Sequence, residues 1–124
     1  MLSNQQQGAT QQILLSPVSA ANTAAATSGW KDVRNMEGDL MFTMQVGALT
    51  GSITWTIEDA TDNSGTGGAG ITPTEGAFSA GAANQIQKRS IDAKATRGFV
   101  RCVGTIVTGP ALVAASVTHQ PKNF

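Results

Sequence analysis

The chain has 124 residues, enough for one domain with a real core, and roughly two-thirds of its unfolded surface would be buried on folding. Only 13% of the residues are charged, Lys+Arg and Asp+Glu balance at 8 each, and the formal net charge is zero. That argues against free nucleic acid as a partner, because phosphate neutralisation needs a basic excess. A surface rich in Ala, Gly, Ser and Thr repels copies of itself weakly, which suits a protein packed among neighbours.

Cys102 is the single cysteine, so an internal disulfide is excluded and a reducing compartment fits. The start, Met1-Leu2-Ser3-Asn4-Gln5-Gln6-Gln7, has neither the positive charge nor the apolar run of a signal peptide. No stretch approaches the length of a membrane span. The expectation is a protein made and used without crossing a membrane, with no membrane partner.

Residues 1–29 read as a polar, low-complexity N-terminal arm, and residues 30–124 as a β-sandwich domain. One apolar knot, Ile13-Leu14-Leu15 before Pro17 and Val18, interrupts the arm, and an extended segment of this kind can order on a neighbouring subunit. The Ala-rich stretch near 20–28 is the one helix candidate. From Asp39 the pattern turns two-periodic: Leu40, Phe42, Met44 and Val46 share one face, and Thr43 and Gln45 the other. After a turn at Gly47 to Gly51, Ile53, Trp55 and Ile57 alternate with Thr54, Thr56 and Glu58, which predicts an antiparallel hairpin. Asp59 to Gly70 is a surface loop by composition. A weaker strand follows at Asn84 to Ile91, and a second hairpin joins Gly98–Val107 to Ala111–Thr118 across Thr108-Gly109-Pro110. Short strands separated by Gly-rich turns predict an all-β fold, an antiparallel β-sandwich or jelly-roll with an extended N-terminal arm.

One histidine, one cysteine and no tyrosine remove most nucleophile and base arrangements, so an enzyme is not expected. Cys102 and His119 meet only if the last two strands pair, and Cys102 shares its strand face with Val100 and Ile106, which reads as core. Asp59, Asp62 and Asn63 could offer oxygens to Ca²⁺, but Gly70 stands where an EF-hand needs its Glu, and solvated turn residues explain them better. Gly65 to Gly70 lacks the Lys-Ser/Thr pair of a phosphate loop. No cofactor is implied. Trp30 and Trp55 raise a carbohydrate-binding alternative, since aromatic faces on a sandwich can stack on sugar rings. Trp55 alternates with core isoleucines, and Trp30 is less committed. Arg97 and Arg101 bracket Phe99, either as an internally paired strand edge or as a docking point for an acidic protein surface.

Taken together, Gly38-Asp39-Leu40-Met41-Phe42-Thr43-Met44-Gln45-Val46-Gly47-Ala48-Leu49-Thr50-Gly51, Glu58-Asp59-Ala60-Thr61-Asp62, Arg97-Gly98-Phe99-Val100-Arg101 and Gln120-Pro121-Lys122 resemble small head-associated structural proteins of tailed bacteriophages. The resemblance spans residues 30–124. It implies a capsid cement or decoration protein on the virion surface, synthesised in the host cytoplasm, bridging major capsid protein subunits and self-associating as a trimer or dimer. It supplies no active-site residues. The partner-binding candidates are therefore Ile13, Leu14, Leu15 and Val18 in the arm, with Trp30, Arg97 and Arg101 in the domain. A sugar-binding module of a phage fibre or tail is the alternative.

Overall fold

The computed structural model describes residues 10–121. Nine strands follow one another: β1 (Thr10–Ala20), β2 (Lys31–Asp32), β3 (Met36–Leu49), β4 (Ile53–Ala60), β5 (Ala69–Ile71), β6 (Ala80–Gly81), β7 (Gln85–Asp92), β8 (Phe99–Ile106) and β9 (Ala111–Pro121). They form two antiparallel sheets, β1-β9-β3-β7 (sheet A) and β2-β8-β4-β5 (sheet B), with β6 also on β4. The two sheets make a β-sandwich, as the alternation predicts.

The core lies between the sheets. Leu40, Phe42, Met44 and Val46 of β3 and Val113, Ala115 and Val117 of β9 line sheet A, and Ile53, Trp55 and Ile57 of β4 with Val100 and Cys102 of β8 line sheet B. Each burying strand alternates because one face meets the core and the other does not.

Both predicted hairpins need correction. β3 and β4 lie in different sheets, and so do β8 and β9. The alternation of Leu40–Val46 and Ile53–Ile57 reports that each strand has one buried face; two strands facing each other across a core carry that pattern as well as two paired in a sheet. The two connections instead bond to each other. The Thr50 amide donates to the Pro110 carbonyl at 3.2 Å, and the Val107 amide to the Ser52 carbonyl at 3.1 Å. The Asp59–Gly70 segment does join paired strands, since β4 and β5 are neighbours.

The division at residue 29 also changes. β1 hydrogen-bonds to β9 from Thr10↔His119 to Ala20↔Ala111, and Leu14, Ala20 and Ala26 are core residues. Of the expected arm, residues 10–29 belong to the sandwich, and residues 1–9 lie outside the described residues. The apolar knot is the cause: burying Leu14 and Leu15 is worth about 1.5–3 kcal/mol for each fully covered side chain, which holds the strand on its own body. Register shifts between Ile13 and Leu15 and between Leu15 and Val18 mark bulges. The Ala-rich stretch makes a single turn, with the Ala26 amide on the Asn22 and Thr23 carbonyls, before Thr27 bridges Val103.

Gly51 is the residue at which the two inter-sheet connections touch. A Cβ there would stand 2.5 Å from Thr108 Cβ and closer still to the Thr108 carbonyl oxygen. We expect Gly51→Ala to destabilise the fold by about 1–3 kcal/mol through overpacking. Gly70→Ala, whose Cβ meets only Thr56 Cγ2 at 3.7 Å, should stay within about 0.5 kcal/mol of wild type. Urea unfolding midpoints of the two variants check both.

Candidate docking surface

Alternation sends one face of sheet A away from the core. Register aligns Met41, Ser90, Thr118 and Gln11 in one row, Thr43, Lys88, Ser116 and Ile13 in the next, and Gln45, Ile86 and Ala114 in a third. Leu112, paired with Ser19, packs beside Gly47 at the end of this field. Lys88 is the one charged residue in these rows, with Asp39 and Asp92 paired just beyond them. Ile13 is 62% exposed, Ile86 60% and Leu112 49%, with Met41 also exposed. The solvent side of an antiparallel sheet ordinarily alternates to polar and charged residues, so the four exposed apolar side chains and the scarcity of charge are the departure. Beside β1 its bulges leave a groove of about 290 Å³, lined by Ile13, Leu15, Pro17, Gln45, Ala114 and Ser116 among others.

Of the candidates in β1, Ile13 and Val18 are exposed, whereas Leu14 is buried and Leu15 packs against the core. Leu14 is thus unavailable to a partner in this fold, whereas Leu15 is half-buried and lines the groove. The three domain candidates do not join them: Trp30 precedes β2, Arg97 precedes β8 and Arg101 lies in it, all on the side of sheet B.

There the three side chains hold the Gly-rich loop between β4 and β5. Arg97 Nη2 donates to Asp59 Oδ1 at 2.9 Å, to the Asp59 carbonyl at 2.8 Å and to the Gly67 carbonyl at 2.7 Å. The hydrogen bond to Asp59 raises the Arg97 pKa above its ordinary value. Arg101 bonds Glu58 Oε1 at 2.8 Å, and its guanidinium lies 4.6 Å from the centroid of the half-buried Trp30 ring. Gly65 and Gly68 pack on that indole: a Cβ at Gly65 would reach 2.8 Å from Trp30 Nε1. Gly67 has φ +70°, and a Cβ there would reach 2.9 Å from Arg97 Nη1, so glycine is required twice over. The Thr66 hydroxyl and amide, helped by the Ser64 and Gly65 amides, hold the Asp62 carboxyl below the usual carboxylate range. Asp59 and Asp62 are therefore engaged with protein groups, and among the described residues no three His, Cys, Asp or Glu side chains gather as a metal site.

Cys102 and His119 stand in different sheets, β8 and β9. Cys102 is fully buried, and burial pushes its thiol up to about 11. His119 is also buried, with Nε2 2.9 Å from the Gln12 side-chain nitrogen. Trp55 is buried in the core. Neither Trp presents an unoccupied exposed ring for sugar stacking, because the Arg101 guanidinium already lies over Trp30.

Sequence reasoning missed Met41, Ile86 and Leu112. Met41 and Leu112 were legible, since they occupy the outward positions between buried Leu40 and Phe42 and between buried Ala111 and Val113. Ile86 was not, because Gln87 takes the inward position in its place: its amide group bonds both the Ser79 amide, at 3.0 Å, and the Ser79 carbonyl, at 3.1 Å. A buried amide with both ends satisfied is tolerated where an unpaired one is not.

No family model matches the chain, and no curated protein matches it. Among solved structures, the chain is similar to the crystal structure of the SPBc2 prophage-derived protein YomS, at TM-score 0.54 and 16% identity over 89% of this chain and 92% of that one. At that identity the likeness is one of fold: this chain shares the sandwich of a prophage-derived protein.

Two outcomes follow from the packing. Arg97→Ala should speed amide exchange at Thr61, Gly65 and Gly68, whose hydrogen bonds close the loop that Arg97 holds, and lower the urea midpoint. Exchange by NMR with a parallel urea titration measures it. Cys102 should resist iodoacetamide at pH 8 in the folded protein and react on unfolding, read by mass spectrometry, since a buried thiol is inert and the thiolate is the nucleophile.

Proposed function

We propose that this chain is a structural protein of a tailed-phage-type virion, a capsid cement or decoration protein that docks on the major capsid protein and stabilises the head. It works at the capsid surface after synthesis in the host cytoplasm, and it performs no chemistry. The observation that carries the reading is the outer face of sheet A, where Ile13, Met41, Ile86 and Leu112 are exposed and Lys88 is the one charged residue of the paired rows. Apolar groups left on a surface in one field mark an interaction site, and the centre of a protein interface is depleted in charge.

Three further points support it. The fold is that of a prophage-derived protein. The short motifs of residues 38–51, 58–62, 97–101 and 120–122 resemble head-associated proteins. The polar chemistry of the sheet B side is consumed internally: Arg97 and Arg101 hold Asp59 and Glu58, leaving them to fix a loop and not to seek a partner. Docking through a modest face is weak for one copy and strong for many on a repeating lattice, which is how a small protein can reinforce a shell. The sugar-binding alternative has no observation in its favour, with Trp55 in the core and Trp30 beneath Arg101.

Capsids assembled without this protein provide the test. Wild-type protein should co-sediment with them and raise their thermal disruption temperature. Leu112→Glu combined with Ile86→Glu should weaken binding at least about tenfold, equivalent to about 1.4 kcal/mol. Val107→Glu, 77% exposed on the connection after β8, should bind as wild type. Equal binding by the double variant, or no binding by wild type, would sink the assignment.

A further inference from the structure

The four sheet edges are not treated alike. Along β8, sheet B ends in the two residues of β2 and the Thr27–Val103 bridge, and along β4 in the three of β5 and the two of β6. Such short edges offer little to pair with. The β7 edge of sheet A is covered. The Thr74 amide donates to the Ser90 carbonyl at 2.8 Å, the Ser90 amide donates to Glu75 Oε1 at 2.8 Å, and Gln87 bonds back to Ser79. It also carries Lys88, Arg89 and Asp92. β1 differs on each count: it has eleven residues, among the described residues it is hydrogen-bonded on one side only, and it contains no charged residue.

We propose that the open edge of β1 is a homodimer interface, where β1 of a second copy runs antiparallel to it about a two-fold axis and joins the two A sheets into one. A two-fold sets the residues beside its axis near their own copies, and β1 carries no charge that could meet itself there. The β7 edge is already taken by the 74–79 segment. Pro17, which lacks an N–H, and the two bulges between Ile13 and Val18 interrupt the second half of the edge. Among the described residues regular pairing is thereby limited to Thr10–Ile13, and an axis between Gln11 and Gln12 sets Thr10 opposite Ile13 of the partner copy. The side-chain nitrogens beside the axis already have partners within the chain, Gln11 on Ser116 at 2.9 Å and Gln12 on His119 at 2.9 Å, and keep them when the interface closes. A segment this short makes a weak, concentration-dependent dimer. The inference rests on the sheet edges and does not need the capsid reading.

Sedimentation equilibrium of the full chain, without capsids, over roughly two decades of concentration tests it. The expected result is a reversible monomer–dimer equilibrium. Ile13→Lys should weaken it at least tenfold, because it sets lysines on both sides of the axis; the position is exposed, and far-UV circular dichroism checks that the variant folds. Ile86→Lys, on the opposite edge strand, should leave it unchanged. A nitroxide on Gln11→Cys should show dipolar broadening in the dimer that vanishes on dilution. A monomer at every concentration would overturn the proposal, as would a dimer indifferent to Ile13→Lys or equally weakened by Ile86→Lys. A dimer seen only after deletion of residues 1–9 would also overturn it, by showing that the chain covers this edge itself.

Discussion

Sheet A depends on the insertion of β9 between β1 and β3. Among the described residues the first strand has no other neighbour in its sheet, and the core of sheet A is finished only when Val113, Ala115 and Val117 arrive beside Phe42 and Met44. The pairings that close this sheet are therefore distant in sequence: Thr10 meets His119, and Met36 meets Pro121. A chain built this way closes large loops before burial compensates them, which places it among slowly folding topologies. The connections at residues 50–52 and 107–110 share the constraint, since each brings a strand of one sheet across to the other and they brace one another at Gly51 and Thr108.

The strands were legible in the sequence because a half-buried strand writes its burial every second residue. Leu40–Val46 and Ile53–Ile57 gave both element and inward face, and Trp55 could be assigned to the core from its neighbours alone. Pairing was not legible. Nothing in the two-residue period distinguishes a neighbour in the sheet from one across the core, so two hairpins were expected where two crossings occur. The N-terminal boundary failed for a related reason. Glutamines and small residues look like a free arm, yet Leu14, Ala20 and Ala26 are enough to hold the segment down once β9 offers an edge.

The candidate site divided similarly. Ile13 and Val18 were found because an apolar knot stood out in polar surroundings. Arg97, Arg101 and Trp30 were found as residues fit for an interface, and the structure employs that fitness within the chain. The segment from Asp59 to Gly70 reads as a surface loop by composition, and its glycines are what let the backbone reach the Trp30 indole and the Arg97 guanidinium. The same absence of side chains that marks a flexible linker permits close packing when a flat ring is at hand. Gln87 takes an inward position beside Ile86 because Ser79 satisfies its buried amide, a contact eight residues away that no local pattern records.

The pairing of Thr10 with His119 sets both ends of the described chain at one end of one antiparallel pair. A load drawn between those ends would meet the β1–β9 hydrogen bonds in series and unzip them one at a time, starting at Thr10. A load entering through the broad face of sheet A would press on all its ladders together and on the packed core behind them. The fold is thus mechanically directional, weaker to traction on its described ends than to compression on its broad face.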